Sequence, residues 1–187
     1  MTASSRLDLV TTWGVIGVQA QAGALTSCTL PVPRGHLALR VTTVRLHCPT
    51  PADCVVLRQA ERCLRVWLRG REPSTLPPLK PAARTAFTAR VLTALQKIPR
   101  GVTVTYGELA RRIGAPRAAR AVGTACGVNP LPLFIPCHRV VAAGGKLGGF
   151  SAGVEWKRFL LTKERAVSKP WKNRSGRFPR LGNSASP

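Results

Sequence analysis

Cys137 stands between Pro136 and His138, inside an otherwise apolar run from Phe134 to Val141. A thiolate is the strongest nucleophile among ordinary side chains, and forming one needs a base or a positive field nearby. His138 is the adjacent base. In an extended segment neighbouring side chains point to opposite faces, so a bent backbone or a bridging water must connect the two. A histidine acting as base also needs a third group to fix its ring. The chain has only seven carboxylate residues, and Glu164 is one candidate. By itself a Cys-His dipeptide fits a buried structural cysteine at least as well.

The other five cysteines are Cys28, Cys48, Cys54, Cys63 and Cys126. They form no C-x-x-C pair and match no zinc template. Three disulfides fit the even count, but nothing at the N-terminus reads as a secretion signal, so free thiols in a reducing compartment are expected. Cys28, His36, His47 and Cys48 could gather round zinc, yet their spacing does not demand it. No metal and no organic cofactor is expected.

These residues must be positioned by the elements before and after them. Phe87, Val91, Leu95 and Ile98 recur at helical spacing, so 84–97 should be a helix closed by Pro99-Arg100-Gly101. Thr105-Tyr106-Gly107-Glu108 fits a capping box that opens a short helix over 106–113. Gly114-Ala115-Pro116 breaks it, and 117–127 reads as a second helix. Two short helices joined by a tight turn outline a helix-turn-helix. The second helix is built of small residues around Arg117 and Arg120, with no Asn or Gln for a bidentate base contact. It suits close approach to another surface and tight internal packing equally. A last helix follows Gly153, with Val154, Trp156, Phe159, Leu160 and Leu161 on its apolar side, and ends near Glu164.

Upstream, residues 1–79 read as a small α/β domain. Trp13–Val18 and Leu25–Leu30 form a hairpin around Gln19–Ala24, Leu39–Leu46 is a third β-prone run, and Val55–Leu68 is a helix. Four prolines between Arg69 and Pro81 mark an extended connector. The boundaries fall at 1–79, 80–167 and 168–187, the last a basic tail expected to be disordered.

Composition narrows the function. The chain has 187 residues and a formal net charge of +22, distributed as +5, +12 and +5 over the three regions. Such an excess points to a polyanion, most simply nucleic acid. Hydrophobic residues make up 44%, which argues against a fully disordered chain. No run approaches the ~18–20 apolar residues of a membrane span.

Taken in order, Ile98-Pro99-Arg100-Gly101, Thr105–Ala110, Ala118–Gly123, Asn129-Pro130, Ile135–Val140, Gly149-Phe150-Ser151 and Leu160–Glu164 closely resemble the O6-alkylguanine-DNA alkyltransferases, also called methylated-DNA–protein-cysteine methyltransferases. The match covers about residues 84–166, and Pro-Cys-His-Arg-Val is its most specific part. The first region resembles the family only in size and α/β character. The resemblance implies an α/β N-terminal domain followed by a mainly α C-terminal domain with a winged-helix-like helix-turn-helix.

It also implies roles. Cys137 would be the alkyl acceptor, His138 its water-assisted base, Glu164 the acid that orients the histidine, and Asn129 a brace for the loop. Tyr106 would hydrogen-bond guanine N3, the Ser151 backbone N–H would approach O6, and the Cys137 and Val140 carbonyls would take the exocyclic amine. Arg120 would fill the space left by a flipped nucleotide, on a helix whose Ala121, Gly123 and Ala125 allow close approach to the minor groove. Phe150 stands where many relatives carry tyrosine, and Cys126 is expected to pack rather than touch DNA. The implied protein is a monomer acting once on double-stranded DNA that carries O6-alkylguanine, with O4-alkylthymine a further substrate. It would work in a bacterial cytoplasm, or in the nucleus of a eukaryote. A lesion-sensing DNA-binding protein of the same superfamily is the alternative, against which Cys137 argues. A cysteine hydrolase would leave Arg120 and the small-residue helix unexplained.

Overall fold

The structure is a computed structural model describing residues 5–33 and 38–165. The expected disordered tail and His36 of the zinc quartet lie outside these residues. The N-terminal unit is an antiparallel sheet with one helix on one face. Strands β1 (Ser5–Thr11), β2 (Gly14–Gln21), β3 (Ala24–Thr29) and β4 (Val41–His47) are arranged β3-β2-β1-β4. Leu7 pairs with Val18 and Leu46, and Leu9 with Ile16 and Val44. One face of the sheet is thus apolar, and α1 (Pro51–Leu68) covers it with Val56, Leu57, Ala60, Leu64 and Trp67. The hairpin β2–β3 is the expected one, turning at Ala22-Gly23, both with positive φ. Strand β1 was not expected from apolar runs, because Arg6 and Asp8 interrupt it. They lie on the outer face and pair with each other at 2.7 Å.

Thr50 caps α1 by accepting from the Asp53 N–H, and Pro51 opens the helix. The buried Asp53 carboxylate accepts from Ser5 Oγ at 2.7 Å and from the Gly23 N–H at 2.8 Å, tying helix, first strand and hairpin turn together. The Gly23 and Ser5 donors hold Asp53 below the usual carboxylate range. Here the expectation of free thiols is corrected. The end of β4 and the first turn of α1 bring Cys48 and Cys54 to a Cα separation of 5.2 Å, and they form a disulfide. Cys48 is therefore not available to zinc. Cys28, Cys63, Cys126 and Cys137 are free and buried.

The connector does not leave the sheet. Leu25 N–H donates to Pro78 O and Lys80 N–H to Leu25 O, both at 2.8 Å, so the chain runs beside β3 before entering the second unit. That unit contains α2 (Ala86–Gln96), β5 (Val104–Thr105), α3 (Tyr106–Arg112), α4 (Ala119–Gly127), β6 (Val140–Val141) and α5 (Val154–Glu164), with β5 and β6 paired in parallel. Helices α2 and α3 both pack on α4.

Aromatic residues join the units. Trp156 of α5 is fully buried, donates to Pro31 O at 2.6 Å, and meets Trp13 edge-on at 4.9 Å. Trp67 of α1 meets Phe134 at 5.1 Å in the same manner. No helix among the described residues is long and apolar enough to cross a membrane.

Candidate active site

The nucleophile's loop is buried throughout, from Leu131 to Val141. Its entry is held by β3, whose Cys28 N–H donates to Pro130 O at 2.7 Å. Asn129 then uses its whole amide: Nδ2 donates to Ile135 O at 2.9 Å and to Cys137 Sγ at 3.1 Å, while Oδ1 accepts from the Leu131 N–H at 3.1 Å. Only an amide offers two donors and an acceptor in this arrangement.

Cys137 opens a 3₁₀ turn, Cys137–Arg139, so it and His138 are not divided across a strand. The thiol is 4% exposed. Burial pushes it above the ordinary cysteine value, opposed by the Asn129 hydrogen bond and the Lys157 charge. His138 Nε2 lies 3.0 Å from Glu164 Oε1, and burial pushes the imidazole below its ordinary value, against the pull of Glu164. The resting pair is therefore a neutral thiol beside a neutral imidazole. With Nε2–H on the carboxylate, Nδ1 is the lone-pair nitrogen, and it has no hydrogen-bond partner among the described residues. It is free to receive a proton.

Glu164 serves two partners. Arg139 Nη2 and Nε donate to it at 2.7–3.2 Å, and Nη1 donates to Ile98 O. Burial alone would raise this carboxyl. The hydrogen bonds and charges of His138 and Arg139 overcome it and bring Glu164 to about 2.

Lys157, with no exposed surface, donates from Nζ to Val140 O at 2.6 Å and to Gly149 O at 3.2 Å. It thus fastens the 148–151 loop to the strand that follows the nucleophile. Burial lowers the lysine, while Cys137 and Cys126 pull it back. Neither Lys157 nor Arg139 was assigned a role from sequence. The α5 pattern holds the missed signal: Lys157, Leu160 and Glu164 share one helical face at i, i+3 and i+7. Two charged residues on that buried face mark a site. Trp156 and Leu160 are buried as expected, while Val154, Phe159 and Leu161 are half-buried.

Tyr106 is the first residue of α3, held by the capping box read from sequence. Thr105 Oγ1 accepts from the Glu108 N–H at 3.1 Å, and Glu108 Oε2 accepts from the Thr105 N–H at 2.6 Å. Its ring packs under Gly148, where an added Cβ would come within 3.2 Å of the hydroxyl and of Cε2. Burial raises the phenol, and a thiolate at Cys126 or Cys137 would raise it further. Phe150 is half-buried and Ser151 exposed on the adjoining loop.

Helix α4 has both faces that its composition allowed. Arg120, Ala121 and Thr124 are exposed, and Val122, Ala125 and Cys126 are buried. Ala125 thus faces the interior. Gly123 lies between, beside the Tyr106 ring, where an added Cβ would sit 3.8 Å from Cε1 in ordinary van der Waals contact. Cys126 packs, as expected.

Residues 86–166 match the family model described as 6-O-methylguanine DNA methyltransferase, DNA binding domain. A methylated-DNA–protein-cysteine methyltransferase of Methanosarcina acetivorans is 46% identical over 107 residues, covering 57% of this chain and 68% of that protein. One from Mycolicibacterium paratuberculosis is 56% identical over 82 residues, which cover 44% of this chain and half of its own length. The solved structure of Mycobacterium tuberculosis OGT in complex with DNA matches with a TM-score of 0.66 and 36% identity, over 84% of this chain and 91% of the other. That match extends through the N-terminal sheet, where the first region of the sequence had only size and character to offer. A buried, amide-braced cysteine beside a carboxylate-held histidine, on a scaffold shared from sheet to last helix, places this chain in the methylated-DNA–protein-cysteine methyltransferase family.

Proposed function

We propose that this protein repairs DNA by moving an alkyl group from O6 of guanine onto its own Cys137, once per molecule. The observation that carries the reading is the buried Cys137–His138 pair, with Asn129 on the sulfur and Glu164 on the far ring nitrogen. The DNA partner is a duplex, bound by the α3–α4 helix-turn-helix in a winged-helix-like arrangement with β5 and β6. The protein acts as a monomer, in a bacterial cytoplasm. Residues 1–79 form a supporting domain and 80–167 the catalytic one.

In the reaction, the thiol proton passes through a water to His138 Nδ1, and the imidazolium is stabilised by Glu164. The sulfur attacks the alkyl carbon in line with the C–O6 bond, forming S–C as C–O6 breaks. Tyr106 donates a hydrogen bond to guanine N3 as negative charge develops on the leaving base. The Ser151 N–H approaches O6, Phe150 forms an apolar wall, and the Cys137 and Val140 carbonyls receive the exocyclic amine. Lys157 holds the loop and favours the thiolate. Extracting the base from a duplex costs about a few kcal/mol, which Arg120 offsets by filling the stack.

The test is intact-protein mass after incubation with a duplex containing O6-methylguanine. One added methyl, mapped to Cys137, is expected. Cys137→Ala should abolish it while leaving DNA binding in place. A folded wild-type protein that gains no methyl would exclude transfer and favour a lesion sensor.

A further inference from the structure

The first 79 residues showed no chemistry in sequence, yet their connector brings a carboxylate to the catalytic pair's counter-ion. Glu72 Oε2 lies 3.6 Å from Arg139 Nη2 and 3.7 Å from Arg100 Nε. Arg100 also donates to Gly70 O on the connector and, at 2.8 Å, to Lys163 O on the last turn of α5. The result is a row of alternating charges: Arg100, Glu72, Arg139, Glu164, then His138.

One atom in this row is contested. Glu164 Oε1 is the oxygen that receives His138 Nε2 at 3.0 Å, and it also receives Arg139 Nη2 at 2.7 Å. A guanidinium drawing on that oxygen weakens its hold on the imidazole and disfavours the imidazolium. A second carboxylate on the same guanidinium offsets that pull.

We propose that Glu72 is a positioning residue for the alkyl transfer, setting the basicity of His138 through Arg139. This rests on the alkyltransferase reading above. The Glu72 side chain is 48% exposed and its contacts are longer than hydrogen bonds, so it acts as a charge and contributes little to folding. Its field is scarce in kind. The cations facing His138 are Arg139 in its own turn, Lys157 and Lys163 on α5, Arg100 after α2 and Arg71 on the connector. Against them stands Glu164, beside the neutral Cys137 thiol, with Glu72 one step back on the far side of Arg139. Burial and Glu164 raise the Glu72 carboxyl, while Arg139 and Arg100 lower it, which places all four groups in one coupled set.

The experiment compares the full-length wild type with Glu72→Gln and Glu72→Asp. Single-turnover methyl transfer from duplex is measured against pH, and the His138 ring is titrated by NMR in histidine-labelled protein. In Glu72→Gln the acid limb of the rate profile and the His138 titration should both move to lower pH. The plateau rate should fall about threefold, because a weaker base accepts the thiol proton less readily. Glu72→Asp keeps the charge and should stay near the wild type. A purely structural role would lower the rate equally at every pH with the limb in place. An unmoved limb and an unmoved His138 titration, in Glu72→Gln that melts like the wild type, would overturn the proposal. Absence of transfer in the wild type would instead remove the alkyltransferase reading, and the NMR titration would still decide whether Glu72 governs His138.

Discussion

At the scale of the residue, the proposed nucleophile and its base are both held uncharged by burial. Burial holds Cys137 as a thiol and His138 as a neutral imidazole, so no thiolate is exposed to oxidants or to adventitious alkylators. The permanent charge sits one step back, on Glu164. Its carboxyl is depressed from the ordinary 4.5 to about 2, so the native state binds its proton less tightly than the unfolded chain does. The sign follows: Glu164 stabilises the fold above its unfolded value, and this stabilisation drains away as pH falls from about 4.5 towards 2. Glu164→Gln should therefore cost about 3 kcal/mol near neutrality, by the size of that shift. Urea unfolding at pH 7 and pH 3 checks this. The gap between wild type and variant should narrow at the lower pH, and an equal gap at both would refute the linkage.

At the scale of the element, short helices do the positioning because each is fixed at its start. The Thr105–Glu108 capping box sets the first turn of α3, and Tyr106 is the first residue of that turn. Helix α4 then uses small residues for two purposes. Val122, Ala125 and Cys126 pack inward and Gly123 lies against the Tyr106 ring, while Arg120 and Ala121 face solvent on the other side. If Arg120 compensates the flipped nucleotide, its loss should matter only when a base must leave a stack. Arg120→Ala should slow transfer from duplex about 10- to 100-fold, in line with a flipping cost of a few kcal/mol. Reaction with a free O6-alkylguanine base should change by less than about twofold. Equal slowing of both would reject the flipping role.

At the scale of the whole molecule, the two units share one site. The sheet edge holds the loop through Cys28 and Pro130, Trp156 reaches back to Pro31, and the connector delivers Glu72 to Arg139. The N-terminal unit is thus the outer wall of the catalytic pair. The charge of +22 acts on a larger length scale, drawing the protein to phosphate. Exposed Arg111, Arg117 and Arg120 surround α4, and Glu108 is the one acid between Tyr106 and Gly127. Duplex affinity should fall about 10²- to 10³-fold between about 50 and 200 mM salt. Fluorescence anisotropy against salt measures it. A flat profile would mean that phosphates contribute little to binding.

Much of this was legible without coordinates, and for local reasons. A capping box, a helix of small residues, a proline-rich connector and an apolar run around Cys137-His138 depend on neighbours a few residues apart, so spacing alone reveals them. Asn129 and Tyr106 were given roles only through the resemblance, since nothing in their own surroundings announces chemistry, while the scarcity of acids had already made Glu164 a candidate. What only the tertiary structure decided lies between distant segments. Strand β1 was hidden by two charged residues that turned out to face outward. Cys48 and Cys54 were expected as free thiols, and became a disulfide because β4 and α1 end side by side. Lys157 had no role from sequence, because only the fold buries its face of α5. Glu72, 67 positions before Arg139 in the chain, could be given its place by no pattern of neighbours. Charges act through space and not along sequence, so the motif could single out a candidate nucleophile while the field around it had to wait for the fold.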